Sequence, residues 1–443
     1  MSPTPNADAV ASFVTALPDR KLPPEVMEAA RMCLVDCLGV AIGAVEEDAA
    51  KAVRQAIRSW GRGDAHVLLG QPAPAAAAAL INGTMGHCLD FDDTHVGSLA
   101  HLSTPAWAAA LALGTERDAP PTAMLLAFIA AFETGARLGG GGMGEGLNQR
   151  GLHSTGFFGC LAAATASASI LGLDGDGVRR SLGAAATQAA GLTASFGTMA
   201  KPFHAGKAAF NGVLSAQLAA SGFIPADGLL EPGGGFDMAL VQDGGLRMSS
   251  LDFADGWELL RNTFKPYASC LLTHPVVDAA RRLSNAIAAE RVKKVRIGVN
   301  PMAIQLAGKP APATPLEGKF STAFCAALGL GKRSVSAADF TAERLADPEL
   351  RRLTACAELV AVPDMPKTAA WVEVSAEDGT RREDVPLALG NPGQPMGWDD
   401  LAGKFQGLVE PVLGKDAAAL FEHARRFQTV GDLAAILRLT TAS

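Results

Sequence analysis

AKPFHAGKAAFNGVLSAQLAASGF (residues 200–223) opens with a proline near its start and then runs on without two-residue alternation. Half of it is Ala, Gly or Ser, and its larger apolar groups recur at helical spacing. Small side chains let helix axes approach closely, so the spacing predicts a buried helix packed on other helices. The same texture recurs in GCLAAATASASILGL (159–173) and SLGAAATQAAGLTASFG (181–197), and PPEVMEAARMCLVDCLGVAIGAV (23–45) adds Pro at a helix start. Residues 1 to about 264 therefore read as helix after helix, with no strand-like alternation.

The texture changes further on. In RVKKVRIGVNPM (291–302) Val292, Val295, Ile297 and Val299 alternate with charged residues, although the double lysine spoils the early register. AAWVEVSAEDGTRREDV (369–385) reads as a hairpin turning at Asp378-Gly379. SAADFTAERLADPELRRLTACA (336–357) reads as one or two helices, and AAALFEHARRFQTVGDLAAILRL (417–439) returns to amphipathic helix. The expected fold class is mainly α, with an all-helical domain at 1–267 and 397–443 and a smaller α+β lid domain at 268–396.

Composition narrows the function. Of the 443 residues, 49% are hydrophobic and 19% charged, which makes a large core and excludes a disordered chain. The net charge of -7 argues against nucleic-acid binding, which needs a basic stripe. The N-terminus lacks a basic-then-apolar leader, and charged residues interrupt the apolar stretches before about 18 clean positions accumulate. No membrane span is expected, and a cytoplasmic location is. The seven cysteines are scattered and expected as thiols; Cys33 and Cys37, four apart, fit neither a zinc pair nor an iron–sulfur cluster. RLGGGGMGEGLNQRG (137–151) lacks the GK[ST] ending of a phosphate loop and reads as a flexible loop, and LEPGGGF (230–236) reads as a turn.

The chemistry lies where cations meet helix starts. His101 precedes Thr104-Pro105, a good cap and first helical residue; His153 precedes Ser154-Thr155; Lys201 precedes Pro202; His274 precedes Pro275. Helix N-termini attract anions, so four such ends brought together make a pocket for a small molecule with several carboxylates. GHCLDFDDTH (86–95) adds three carboxylates and two imidazoles between apolar segments. On a continuing helix, His87 and Asp90 share a face, as do Asp90 and Thr94, while Asp92 points elsewhere as a solvated cap. The reading is a buried acid–base cluster. Arg150 offers either a bidentate carboxylate contact or a surface salt bridge; Lys319, in EGKFS, is placed at the cleft between the domains; His204 is a substrate contact or a structural support for Lys201. His66 and His423 read as surface or helix-packing residues.

INGTMGHCLDFDDTH (81–95), AKPFHAGKAAFNGVLSAQLAASGF, FKPYASCLLTHPVVDA (264–279) and PATPLEGKFSTAFCAAL (312–328) together resemble the MmgE/PrpD family, which includes 2-methylcitrate dehydratase, cis-aconitate decarboxylase and iminodisuccinate epimerase. The resemblance implies the two-domain fold above, a homodimer, and neither metal nor organic cofactor. It carries over to Asp90 and Thr94, His101, His153, Lys201 and His274 as site residues. Departures from the family pattern rank its activities. Leu102 follows His101 where Pro is usual, and the only tyrosine is Tyr267, which weakens the decarboxylase, whose lid carries a tyrosine. A second Asp replaces the Asn usual in 2-methylcitrate dehydratases. The expectation is a cofactor-independent hydro-lyase acting on a small di- or tricarboxylate by α-proton abstraction. An epimerase or isomerase of a dicarboxylate follows, then a cis-aconitate-type decarboxylase, then a non-catalytic binding protein.

Overall fold

A computed structural model describes residues 5–240, 248–254 and 256–442. The helices that build the site are α1 (Pro24–Gly43), α2 (Ala75–Cys88), α3 (Ser103–Glu116), α4 (Pro121–Gly139), α5 (Ser154–Ile170) and α6 (Ala200–Ala220). α6 lies against α2 and α5, and α5 also packs on α3 and α4. The glycines in these helices are spacing devices. A Cβ on Gly206 would stand 2.1 Å from Thr84 Oγ1 and 2.4 Å from the Leu80 carbonyl, and one on Gly212 would stand 2.4 Å from Ala163 Cβ. Where larger groups are used, they fill the middle. Trp107 stacks on Phe128 at 4.6 Å, and both are fully buried. Burial of one such ring stabilises the fold by about 2–3 kcal/mol.

α4 is long and apolar enough to cross a membrane by length and composition alone. Its residues are mostly buried among the other helices, and its two charges, Glu133 and Arg137, pair with one another. It is a core helix of this fold.

Two-residue strands do occur in the helical part: β1 (Thr94–His95) pairs antiparallel with β2 (Asn262–Thr263). The smaller α+β part carries a four-stranded sheet in the order β4-β3-β5-β6, from β3 (Val292–Val299), β4 (Ala357–Ala361), β5 (Ala370–Ala376) and β6 (Gly379–Val385). β3 runs parallel to β4 and antiparallel to β5, and the register slips between Val292 and Lys294, at the double lysine. The hairpin turns one residue earlier than expected. Ala376 pairs with Gly379, whose φ of +125° suits glycine alone, and Glu377-Asp378 form the tip. α7 (His274–Leu283) covers β5 and β6, and α8 (Thr322–Leu330) packs on α7.

After the sheet the chain returns to the first part. α9 (Trp398–Leu413) packs on α1, where Gly39 leaves room for the Phe405 ring, and the tail continues as Asp416–Arg426 and Val430–Leu439. Thr429 and Asp432 form a reciprocal cap that separates those last two helices. The glycine-rich 137–151 stretch, expected as a loop, contains a short helix at Met143–Gln149. In the 230–236 stretch a turn is closed by the bond from Gly234 N to Glu231 O, while Gly235 and Phe236 already open a short helix, Gly235–Leu240. All seven cysteines are free thiols.

Candidate active site

α2 stops at Cys88, so Asp90 does not continue its helix. Asp90 has φ +50°, a left-handed conformation that costs a non-glycine residue about 1–2 kcal/mol. Three lysines from distant parts of the chain hold this loop. Lys319 donates to the Leu89 carbonyl (2.6 Å), Lys265 to the Asp90 carbonyl (2.8 Å) and Lys404, on α9, to the Phe91 carbonyl (2.6 Å). Asp36 on α1 accepts from the Asp93 amide (2.9 Å) and pairs with Lys404 (2.6 Å). Burial, then the neighbouring Asp36, pushes the Asp93 carboxyl up to about 7.

Asp90 is the centre of charge. Its Oδ1 lies 2.6 Å from Lys201 Nζ, 3.3 Å from Lys265 Nζ and 3.7 Å from His101 Nε2. Burial raises its pKa, but the two ammoniums more than offset this and hold the carboxyl well below the usual range. Asp92, expected as a solvated cap, is fully buried. It bonds His87 Nδ1 (2.9 Å), His101 Nδ1 (3.1 Å) and the Thr104 hydroxyl (2.7 Å). α3 begins at Ser103 with no side-chain cap, so Thr104 stands inside the helix and does not cap it; its hydroxyl donates into the site.

These contacts settle the tautomer of His87. His87 Nε2 lies 2.9 Å from Lys201 Nζ. An ammonium has only donors, so Nε2 accepts, Nδ1–H donates to Asp92, and the ring is neutral. Burial pushes His87 down to about 4, in agreement. In His101, Nδ1 donates to Asp92 while Nε2 faces Asp90, and Thr94 Oγ1 stands 3.4 Å from its Nδ1. A carboxylate on one nitrogen orients the ring and raises the basicity of the other; burial lowers the His101 pKa overall.

His153 is the residue just before α5, and its ring stacks on His87 with centroids 6.0 Å apart. Its Nδ1 lies 3.0 Å from His204 Nδ1. Lys201 stands in the first turn of α6, its ammonium between the rings of Phe196 (5.4 Å) and Phe320 (5.2 Å). His274 opens α7; its Nε2 donates to the Ser269 carbonyl at 3.2 Å, its Nδ1 is buried without a partner, and burial pushes it to about 3. Burial also lowers Lys319, to about 8.

The fold thus gathers Asp90, Thr94, His101, Lys201 and Lys319 around one loop, with His153 and His204 beside them and His274 near Lys265. Arg150 stands apart: it is exposed at the end of the short helix and donates to the Gly146 carbonyl. Sequence reasoning missed Lys265, which sits in the quoted FKPY segment but precedes no helix, and it did not name as site residues His87, placed on the helix face of Asp90, or Asp92, read as a solvated cap. His66 and His423 pair with Thr440 and Asp432, away from the cluster.

Among the described residues, His87, Asp90, Asp92 and His101 form the one His/Cys/Asp/Glu group compact enough for a metal, with donor atoms within 4.8 Å of one another. The donor set does not fit a resident cation. Asp90 is already engaged by two ammoniums and His87 Nε2 by one of them, so a divalent ion would meet fixed positive charge. Two ammoniums on Asp90 and a third on the adjacent Leu89 carbonyl, beside imidazoles whose charged form burial disfavours, favour an anion instead.

Comparison with known proteins agrees with this geometry. The MmgE/PrpD N-terminal domain matches residues 8–249 and the MmgE/PrpD C-terminal domain residues 267–427. The chain belongs to the MmgE/PrpD family. The chain is similar to cis-aconitate decarboxylase of Mus musculus, 24% identical over 456 residues (98% of this chain, 92% of that protein). It is 25% identical over 459 residues to the Homo sapiens enzyme of that name (97% and 93%). With cis-aconitate decarboxylase of Aspergillus terreus it shares 31% identity over 277 residues, covering 59% of this chain and 56% of that protein. The second matched domain runs on past residue 396 through α9, which packs on α1.

Proposed function

We propose that this MmgE/PrpD member is a lyase acting on a small polycarboxylate at a carbon next to a carboxylate, without metal or organic cofactor, and that loss of water is its reaction. The observation that carries the reading is the pairing of Asp92 with His101 beside three buried lysines. A proton α to a carboxylate is weakly acidic, so its removal needs a base and a stabilised enediolate-like charge. His101, held by Asp92, is the base. Lys201, Lys265 and Lys319 bind the substrate carboxylates and stabilise the developing charge; one well-placed donor of this kind is worth about 3 kcal/mol. His153 protonates the leaving hydroxyl, and Thr94 steers the His101 ring. Two copies of the chain form the working unit, by resemblance to the family.

Decarboxylation is the second reading, and it rests on the names of the curated relatives. The tyrosine of this chain favours dehydration over it. Tyr267 donates to Asp278 Oδ1 at 2.6 Å, and burial raises its pKa, so its phenol is committed. Proton NMR in D₂O of the purified protein with 2-methylcitrate, citrate, cis-aconitate and iminodisuccinate separates the outcomes. Loss or gain of water supports the reading. Release of CO₂ transfers it to decarboxylation, and deuterium exchange without net loss to epimerisation. Activity that survives Lys201→Ala and His101→Ala refutes the assignment of the site.

A further inference from the structure

The proposed chemistry moves protons, yet the histidine that supplies them is buried. His153 is 2% exposed, and so is its neighbourhood: His87 at 1% and Lys201 at 4%. One route leads outward. His153 Nδ1 faces His204 Nδ1 at 3.0 Å, and His204, on the first turns of α6, is only half-buried and so reaches solvent. The approach is built into the backbone. His153 N donates to the Gly191 carbonyl at 3.0 Å, and Gly191 lies between His153 Cβ and the His204 ring. A Cβ there would stand 3.2 Å from His153 Cβ and 3.3 Å from His204 Nδ1.

Two Nδ1 atoms in hydrogen-bond contact share one proton, because one must donate and the other accept. We propose that His204 is a relay residue that exchanges protons between solvent and His153, so that the His153–His204 pair is the proton wire of the buried site. This rests on the lyase reading above. In the acid-ready form, His204 carries its proton on Nδ1 and donates to His153, which carries its own on Nε2, the nitrogen left for the substrate. As His153 Nε2–H passes to the leaving hydroxyl, the shared proton moves from His204 Nδ1 to His153 Nδ1, and water gives a proton to His204 Nε2. Both rings end neutral, with the hydrogen bond reversed. The wire then runs backwards. The α-proton held on His101 passes through a water in the emptied site to His153 Nε2, the shared proton returns to His204, and His204 Nε2–H leaves to solvent. Over one turnover, one proton enters and one departs.

The surroundings suit a neutral wire. The charged and titratable groups that face the pair are Lys201 and His87, with His101 behind His153 and Lys207 beside His204. None is an anion, so an imidazolium on either ring would have no partner. Burial, followed by these neighbours, lowers both rings, His204 to about 4.

The test has two arms. ¹⁵N NMR of the histidine-labelled, substrate-free protein reads the pair directly. At neutral pH one Nδ1 of the two should be protonated and the other bare, and the Gly191→Ala variant should break that pattern. Two protonated or two bare Nδ1 atoms in the wild type overturn the wire. The second arm uses His204→Asn, whose amide keeps the hydrogen bond to His153 but cannot pass a proton. With any substrate the wild type turns over, kcat should fall at least tenfold with KM within about threefold. Imidazole in solution should restore turnover to His204→Ala. A His204→Asn variant with wild-type kcat and pH profile overturns the proposal. A wild type inert to every polycarboxylate refutes the lyase reading, while the NMR arm still decides the pair.

Discussion

Replacing Asp90 by Asn removes the one carboxylate that faces two buried ammoniums. At an effective dielectric constant of about 20, unit charges 3.3 Å apart attract by about 5 kcal/mol, and the Lys201 contact is closer still. Desolvation offsets much of this, but the offset is already spent in the fold. Deleting one partner leaves the other charges buried and uncompensated, a change that typically costs about 3–5 kcal/mol. Urea unfolding at pH 7 should therefore find Asp90→Asn destabilised by about that amount. The pH dependence has a definite sign. The folded pKa of Asp90 is depressed, so its contribution is complete above the unfolded value of about 4 and is lost as pH falls below it. The gap between wild type and variant should be constant from pH 7 to 5 and narrow below pH 4. A double-mutant cycle with Lys265→Met isolates the pair, with an expected coupling of about 1–3 kcal/mol. A loss under about 1 kcal/mol at pH 7, or a cycle additive within about 0.5 kcal/mol, would refute the account of Asp90 as the neutralising centre.

Affinity for a polycarboxylate, measured by calorimetry, should weaken as pH rises through about 8, where buried Lys319 loses its proton; Lys319→Met should bind weakly and without that limb, and an unchanged limb would assign it elsewhere. Tyr267→Phe should lose about 1–3 kcal/mol of stability through the stranded Asp278 but keep kcat within a few-fold, whereas a hundred-fold loss would make the phenol a catalytic acid. Gly206→Ala, with its Cβ 2.1 Å from Thr84 Oγ1, should lower stability by about 1–3 kcal/mol or more in thermal unfolding, and a neutral result would mean that α2 and α6 are not in close contact.

The expectation for Asp92 went wrong for a reason that applies to the whole signature. Helical spacing was extended past Cys88, and on that helix Asp92 turns away from His87. The chain instead leaves the helix at Asp90, and the loop folds Asp92 back beneath two imidazoles. Nothing local announces that departure, because Asp90 takes its left-handed conformation only where Lys265 and Lys319 reach its carbonyl and the one before it. Thr104 shows the same override. As a helix cap its oxygen would accept from a backbone N–H, but the helix starts one residue earlier and the hydroxyl donates to a buried carboxylate 2.7 Å away. His153, Lys201 and His274 were found from their positions at helix starts, and each does stand there.

What the amino-acid sequence determined by itself was everything that depends on near neighbours along the chain. Small residues at helical spacing made the close-packed helices. Alternation and an Asp-Gly pair made the hairpin, to within one residue of its turn. The signature segments carried the family and most of its ionisable groups. Only the tertiary structure decided which of those groups meet. Leu89, Asp90 and Phe91 present three consecutive carbonyls to lysines 319, 265 and 404, more than 170 residues away in each case. A buried charge is stable only where partners satisfy it, and those partners are chosen by packing across the whole chain, which no local spacing encodes.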